Sequence, residues 1–179
     1  MAKLSTPRKG SLQFWPRKRA ETFLHSVNWS VIKGKPNAPG ILGFITYKVG
    51  MASAIVKDST PDSMTKGKKI FLPVTILEAP HMKIFSIRFY KYGKAIKDVI
   101  VSHDKELKKV LKTPKILHPL ESKMPKDYDD IRLIAYSLPK ETSVKKTPDL
   151  IELAINSENK LDYAKSIIGK EISIKDFLH

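Results

Sequence analysis

The sequence contains no cysteine, which excludes disulfide bonds and thiolate metal sites and is compatible with a reducing cytoplasm. It has no run approaching the roughly 20 apolar residues of a membrane-spanning helix. We expect no secretory signal, since charges interrupt the first apolar cluster, and no membrane partner, since a long basic amphipathic helix is missing. A chain of 179 residues is then expected to form one domain with an extended arm.

Catalytic and metal-binding patterns are missing as well. The sequence has no Gly-x-Ser-x-Gly elbow and no glycine-rich loop that could cradle a phosphate. The acidic group Asp127, Asp129 and Asp130 lacks the glycine and terminal glutamate of a calcium loop, which favours a solvated turn. Five histidines are isolated from each other and from carboxylates at metal-ligand spacing: His25, His81, His103, His118 and His179. We therefore predict no catalytic residue, no metal site and no cofactor.

Acidic residues are scarce, and the resulting charge is unevenly spread. Against 33 Lys and Arg there are 18 Asp and Glu, so the formal net charge is +15. It falls along the chain, from +8 in residues 1–50 to +5 in 51–100, +3 in 101–150 and −1 in 151–179. This exceeds what solubility requires and indicates a polyanionic partner that faces the N-terminal half.

Residues 7–19 join two basic clusters through Gly10 and a Phe14-Trp15-Pro16 turn and contain no acidic residue. Charge repulsion and few apolar groups predict an arm that orders only on a polyanion, although a solvated tail or a targeting signal is the alternative. Basic side chains would neutralise phosphates, and the aromatic rings would pack on bases or sugars. The predicted RNA contacts of the arm are Lys3, Arg8, Lys9, Gly10, Phe14, Trp15, Arg17, Lys18 and Arg19.

Strand patterns follow an irregular stretch over residues 21–40. Residues 41–49 and 51–56 are rich in β-branched and aromatic side chains, with Gly50 as a turn or bulge between them. Residues 70–77 are apolar on both faces, which predicts a buried strand in which Pro73 requires an edge or bulge position.

A further strand is predicted over residues 82–90, with alternating faces. One face carries Phe85, Ile87 and Phe89, and the other carries Ser86, Arg88 and Tyr90. Together these strands predict part of a small antiparallel barrel or sandwich.

Helix and strand patterns alternate in residues 96–168. Ser102 is the predicted N-cap of a helix that runs to residue 112, and residues 113–125 are a predicted connection. Strands are predicted over residues 130–137 and 150–155. Ser157 is the predicted cap of a helix to Ile168, which Gly169 ends. Its apolar stripe is Leu161, Ala164, Ile167 and Ile168. The apolar residues Ile172, Ile174, Phe177 and Leu178 follow, with no evident partner strand.

Three ordered motifs resemble the archaeal and eukaryotic form of the large-subunit ribosomal protein L-three family. They are TPRKGSLQFWPRKR at residues 6–19, LGFITYKVGM at 42–51 and LPVTILEAPHM at 72–82. Shorter matches are IRLIAYS at 131–137, KTPD at 146–149 and GKEI at 169–172. Thr46, Val49 and Met64 depart from the family pattern, and its members are almost twice as long, with further barrel strands and a long extension after the position of Phe177.

The resemblance implies a mixed α+β fold. It comprises an extended basic arm and loop (residues 1–40), the first half of an antiparallel β-barrel of the translation-protein type (41–95), an inserted α/β unit (96–168) and a return segment (169–179). It also implies an archaeal split form, in which a separate polypeptide carries the C-terminal half and completes the barrel.

The function implied is that of a structural, non-catalytic component of the large subunit in the cytoplasmic ribosome. Its partners would be large-subunit ribosomal RNA and neighbouring large-subunit proteins. Further expected RNA contacts from the folded part are Lys48, Lys66, Lys68, Lys69 and Arg88. Without the central extension, the chain is not expected to reach the peptidyl-transferase region.

Two other classes stay open at this point. The arm and the charge alone would also suit a free-standing RNA-binding regulator or a translation factor with a barrel domain. An RNA-acting enzyme is the third class, against which stands the lack of an acid, base or ligand constellation.

Overall fold

The computed structural model describes residues 22–32 and 40–176. The bounds of the described strands are β1 Gly40–Ile41, β2 Tyr47–Lys57, β3 Lys69–Glu78, β4 Met82–Lys91, β5 Lys94–Ile100, β6 Asp130–Ser137 and β7 Leu150–Asn156. Five of them form an antiparallel sheet in the order β1-β7-β6-β4-β5, and β2 and β3 form a separate antiparallel ribbon. Two helices, α1 Leu120–Lys123 and α2 Lys160–Ile167, complete a mixed α+β fold. The described strands form no closed barrel.

Strands with clear alternation lie where the sequence predicts them. The predicted strand over residues 130–137 is β6, and those over 82–90 and 150–155 are β4 and β7 with one more residue each. The sequence analysis missed β5, which forms a hairpin with β4 through Tyr92 and Gly93, both with positive φ. Two such residues are the requirement of a two-residue hairpin turn, and Gly93 meets it without strain.

The strand predicted over residues 41–49 is wrong as a single element. Leu42 still donates its amide to the Ala154 carbonyl of β7, at 3.0 Å, but the chain then leaves the sheet and β2 begins at Tyr47. Gly43 lies at the crossing, where a Cβ atom would stand 2.9 Å from Leu153 Cδ2. The register shift between Lys48 and Gly50 confirms the bulge predicted at Gly50, and residues 51–56 continue β2.

The strand predicted over residues 70–77 is confirmed as β3, with one more residue at each end, but its predicted burial is wrong. Strand β3 pairs only with β2 within the described residues, and most of its side chains are exposed. Phe71 is 74% exposed and Ile76 50%. The edge position predicted for Pro73 is confirmed, because β3 has no second neighbouring strand among the described residues.

The core occupies both faces of the five-stranded sheet. The larger cluster includes Ile84, Ile87 and Phe89 from β4. Phe85 instead joins Tyr136 in a second cluster, because a bulge between Ile84 and Ser86 shifts the alternation of β4. The predicted shared face of Phe85, Ile87 and Phe89 is therefore wrong for Phe85.

The helix predicted from Ser102 to residue 112 is also wrong. Only a 3₁₀ turn, Leu107–Lys109, forms there. Ser102, the predicted cap, instead contacts the Tyr136 hydroxyl, which donates to Asp104. A tertiary contact thus replaces the local capping bond, which is a common reason for a helix signal to fail. The predicted connection of residues 113–125 contains the short helix α1.

Helix α2 confirms the apolar stripe but not the predicted cap. Ala164 is fully buried, and Leu161, Ile167 and Ile168 pack around the main cluster. The helix begins at Lys160 rather than after Ser157, and Asn159 stands at the N-cap without a side-chain cap bond. Gly169, at φ +77°, ends it as predicted.

The C-terminal apolar segment has a partner, contrary to the sequence-based expectation. Ile172 forms a β-bridge with Met82, beyond the end of β5, with two backbone bonds of 2.8 and 3.0 Å. Ile174–Asp176 then forms a 3₁₀ turn, and residues 177–179 lie outside the described residues. The sheet also draws strands from both sides of residue 95, the expected boundary between the barrel half and the inserted unit.

Candidate nucleic-acid interface

The predicted arm lies outside the described residues, and with it Lys3, Arg8, Lys9, Gly10, Phe14, Trp15, Arg17, Lys18 and Arg19. The structure does show how residues 22–32, which follow the arm, are attached. Trp29 is buried, and its Nε1 donates to the Glu152 carbonyl of β7 at 3.0 Å. Gly43 leaves room for the ring, since a Cβ there would lie 3.2 Å from Trp29 Cη2. Trp29 therefore anchors residues 22–32 to β7, a role that sequence reasoning missed.

Four lysines gather at the far end of the β2–β3 ribbon. Lys57 and Lys69 form the last cross-strand pair of the ribbon, and Lys66 and Lys68 lie in the connecting loop. All four side chains are exposed, and none forms an ion pair with another described residue. Like charges directly opposite each other destabilise a ribbon unless an anion neutralises them. We call Lys57, Lys66, Lys68 and Lys69 the lysine tip.

The loop that carries the lysine tip is organised around Asp58. Its carboxylate accepts from the Thr60 amide at 2.9 Å, the Ser63 hydroxyl at 2.8 Å and the Thr65 hydroxyl. Backbone bonds from Gly67 N to Asp58 O and from Asp58 N to Lys68 O, 2.8 and 3.0 Å long, close the loop.

These donors, the Thr65 hydroxyl first, hold the pKa of Asp58 well below its ordinary range. The carboxylate is therefore charged at neutral pH and already saturated by the loop's own hydroxyl and amide groups. It does not pair with the lysines, which are left to meet an external anion.

Of the five contacts predicted in the folded part, the structure brings three together at this tip: Lys66, Lys68 and Lys69. Sequence reasoning missed Lys57, although its place at the end of a β-branched run was visible. Lys48 is exposed near the opposite end of the ribbon. These lysines give the ribbon a basic tip and one basic group near its base.

Arg88 has a different environment from the four lysines. Its guanidinium makes a bidentate pair with Asp98, with both bonds 2.7 Å, and a third bond of 3.1 Å to Glu152. These partners, Asp98 first, raise the pKa of Arg88. Arg132 Nη1 and Tyr90 OH also donate to Glu152, so these side chains on β4, β6 and β7 form an internally compensated ionic network. Arg88 would have to leave these carboxylates to bind a phosphate.

The acidic group at residues 127–130 is likewise engaged by the protein. Asp127 pairs with Lys91, Asp129 accepts from the Tyr92 amide at 2.7 Å, and Asp130 pairs with Arg132 and Lys160. The group thus supports the β4–β5 hairpin and the start of β6, which agrees with its interpretation as a turn.

One face of the ribbon is apolar from residue 50 to residue 56 and from 70 to 76, and five of its eight residues are exposed in the part of the chain that the structure describes. Cross-strand register places four opposed pairs on it, and we call them the apolar ribbon face: Gly50 with Ile76, Ala52 with Val74, Ala54 with Leu72, and Val56 with Ile70. Leu72 is 42% exposed and Val56 39%. An isolated two-stranded ribbon is marginally stable in water, so packing of another segment against this face would stabilise it.

Comparison with known proteins identifies the relatives of this chain. The family model described as Ribosomal protein L3 matches residues 1–114. The chain is 38% identical over 193 residues to the large ribosomal subunit protein uL3 of Methanosphaera stadtmanae, covering 98% of the chain and 56% of that relative. The uL3 protein of Methanocaldococcus jannaschii is 34% identical over 97% of the chain and 55% of its own length.

A third similar protein, the uL3 protein of Methanoregula boonei, is 36% identical over 99% of the chain. The match covers 57% of that relative's own length, so the chain spans about half the length of the curated relatives it matches. None of the described helices is long and apolar enough to cross a membrane.

Proposed function

Because the chain belongs to the ribosomal protein L3 family, we propose that it is a structural component of the large ribosomal subunit that binds large-subunit ribosomal RNA. The observation that carries this proposal is the family match over residues 1–114, which include both the basic arm and the lysine tip. Its role is to stabilise folded RNA during subunit assembly and translation in the cytoplasm, without catalysis. Neighbouring large-subunit proteins are its other partners.

RNA binding in this proposal uses two basic regions held by one folded body. The arm supplies Arg8, Lys9, Arg17, Lys18, Arg19 and Lys3 for phosphates, with Phe14 and Trp15 for bases or sugars and Gly10 for close backbone approach. Six such contacts give a slope of about −4 to −5 in a plot of log affinity against log salt. The lysine tip adds contacts from a rigid loop, and Lys48 adds one more near the base of the ribbon. Arg88 contributes only if RNA displaces its carboxylates.

The proposal includes a separate polypeptide that completes the barrel. The curated relatives contain a further part that this chain does not match. The apolar ribbon face supports a docking role for that part, since its eight residues include no polar side chain. Ile172, by contrast, is already paired within this chain and provides no such surface.

The ribosomal role is tested by quantitative mass spectrometry of salt-washed large subunits from the source cell. One copy per particle is expected, beside an equally abundant polypeptide that carries the missing half. Absence from the particle would contradict the ribosomal role and favour a free-standing RNA-binding protein. Presence without such a polypeptide would contradict only the split.

Barrel completion has its own test, in which the chain is co-expressed with the part of a curated relative that it does not match. Leu72→Lys places a charge on the apolar ribbon face and should abolish co-purification, because an unpaired charge would be buried. Phe71→Lys is the matched control: Phe71 belongs to the next cross-strand pair, with Ile55, which lies on the other face of the ribbon, and this variant should co-purify normally. Equal behaviour of the two variants would refute docking at this face.

A further inference from the structure

One histidine and two glutamates from distant parts of the chain meet at the end of the sheet. His81 precedes β4, Glu141 ends the 3₁₀ turn Pro139–Glu141, and Glu171 precedes the bridging residue Ile172. Each offers one ligand atom, and the three atoms lie within 4.8 Å of one another. We propose that His81, Glu141 and Glu171 form a binding site for a divalent transition-metal ion such as Zn²⁺.

Backbone hydrogen bonds hold the three segments together independently of the side chains. Leu138 N, next to the 3₁₀ turn, donates to the His81 carbonyl at 2.9 Å. Met82 and Ile172 exchange bonds of 3.0 and 2.8 Å. The ligands are thus brought together by the fold before any ion arrives, which lowers the entropic cost of binding.

The chemistry of the donors suits a first-row divalent ion. A neutral imidazole nitrogen with two carboxylate oxygens is a ligand set found around zinc, and water can fill the remaining coordination positions. His81 Nδ1 lies 2.7 Å from Glu141 Oε2, so two of the three ligand atoms are already side by side. Their side chains are partly exposed, at 46% and 38%, which leaves a path for the ion.

Lys83 now pairs with one of the three proposed ligands. Its Nζ lies 3.0 Å from Glu171 Oε1 and 3.9 Å from Asp104 Oδ2. Asp104 therefore gives Lys83 an alternative partner when Glu171 turns toward a metal ion. An adjoining cavity of about 410 Å³, lined by Lys83, Asp104, Glu141 and Glu171 among others, has room for the ion and its waters.

A bound ion would cross-link three segments: the residue before β4, the 3₁₀ turn Pro139–Glu141 and the segment after α2. Because the unfolded chain separates these ligands by up to 90 positions, the ion binds the folded state and raises its stability. The site is separate from the RNA contacts and needs no second polypeptide.

The test is titration of the metal-free full chain with zinc by calorimetry, together with Co²⁺ absorption in the visible range. One equivalent should bind and raise the melting temperature. His81→Ala and Glu171→Gln should each weaken zinc binding about tenfold or more, since even the loss of an outer-shell partner costs a metal site that much. Lys83→Met should tighten it by removing the competing cation.

His103→Ala is the matched control, because His103 is exposed and lies outside the cluster. It should bind zinc like the parent chain. If His81→Ala fails to fold by circular dichroism, Glu171→Gln carries the test. Zinc binding that is absent at millimolar concentration, or unchanged by both ligand substitutions, overturns the proposal.

Discussion

Removing three charges from the lysine tip should change how RNA binding responds to salt. Lys66, Lys68 and Lys69 are exposed and unpaired within the described residues, so each can release a counterion when it meets a phosphate. Substituting all three with alanine should therefore reduce the steepness of the log-log salt dependence by about 2 to 3. Between 0.05 and 0.2 M salt, the parent chain should lose roughly 20- to 40-fold more affinity than the variant.

The assay is filter binding of the full chain to large-subunit ribosomal RNA over a series of salt concentrations. A control with the same change in net charge replaces Lys140, Lys160 and Lys165 with alanine. Those lysines already pair with Glu106, Asp130 and Glu121, so little counterion release depends on them. An unchanged slope in the tip variant, or an equal fall in the control, would refute the assignment of the lysine tip to RNA.

Three further predictions concern stability. Gly43→Ala should lower the free energy of unfolding by about 1–3 kcal/mol, because the new Cβ would stand 2.9 Å from Leu153 Cδ2. Gly40→Ala should be tolerated, because a Cβ there has no atom within 4 Å, and urea titration of the two variants makes the comparison. Tyr47→Phe should cost about 1 kcal/mol, since the hydroxyl bonds Ser137 and Asp149. Burial raises the pKa of Tyr47 to about 12, so the stability that Tyr47 contributes is lost as the pH rises from about 10. Above that pH the urea midpoint of Tyr47→Phe should therefore fall less steeply than that of the parent chain. Exposed Tyr92→Phe should keep the parent profile. Asp58→Asn should lower the urea midpoint at neutral pH and remove part of the stability loss on acidification, because the lowered pKa of Asp58 makes its stabilisation present above the unfolded pKa and lost below it. Asp62→Asn is the control and should change neither the neutral midpoint nor the acid profile. Equal acid profiles for the parent and Asp58→Asn would contradict the loop network.

The parts of the fold that follow from local pattern were predictable, and those that depend on distant contacts were not. The alternation in residues 130–137 fixes β6, and Gly169 marks the end of α2. The sequence analysis missed β5 because its KAIKDVI pattern has no strict apolar–polar alternation and carries three charged residues, and five of its seven residues are exposed. The helix signal after Ser102 failed because Tyr136, more than 30 residues away, binds Asp104.

The candidate sites divide in the same way. The charge of the arm and of residues 66–69 is visible in the sequence, because phosphate binding needs only basic groups close together. Lys57 joins them through strand register, which composition does not reveal. His81 looked isolated since Glu141 and Glu171 lie 60 and 90 positions away and meet it only through the fold. Exposure of residues 70–77 was unpredictable because an apolar strand carries no signal of what covers it.

The attachment of Trp29 to β7 has a consequence for the order of events during synthesis. Trp29 and its partner Glu152 are 123 residues apart. At cellular elongation rates, about 6 to 25 s separate their emergence. During that interval the β4–β5 hairpin can form and β6 can pair with β4, while the N-terminal segment has no docking site on the body. Under the proposed function, the most basic region of the nascent chain would therefore be available to RNA before β7 completes the sheet and Trp29 docks on it.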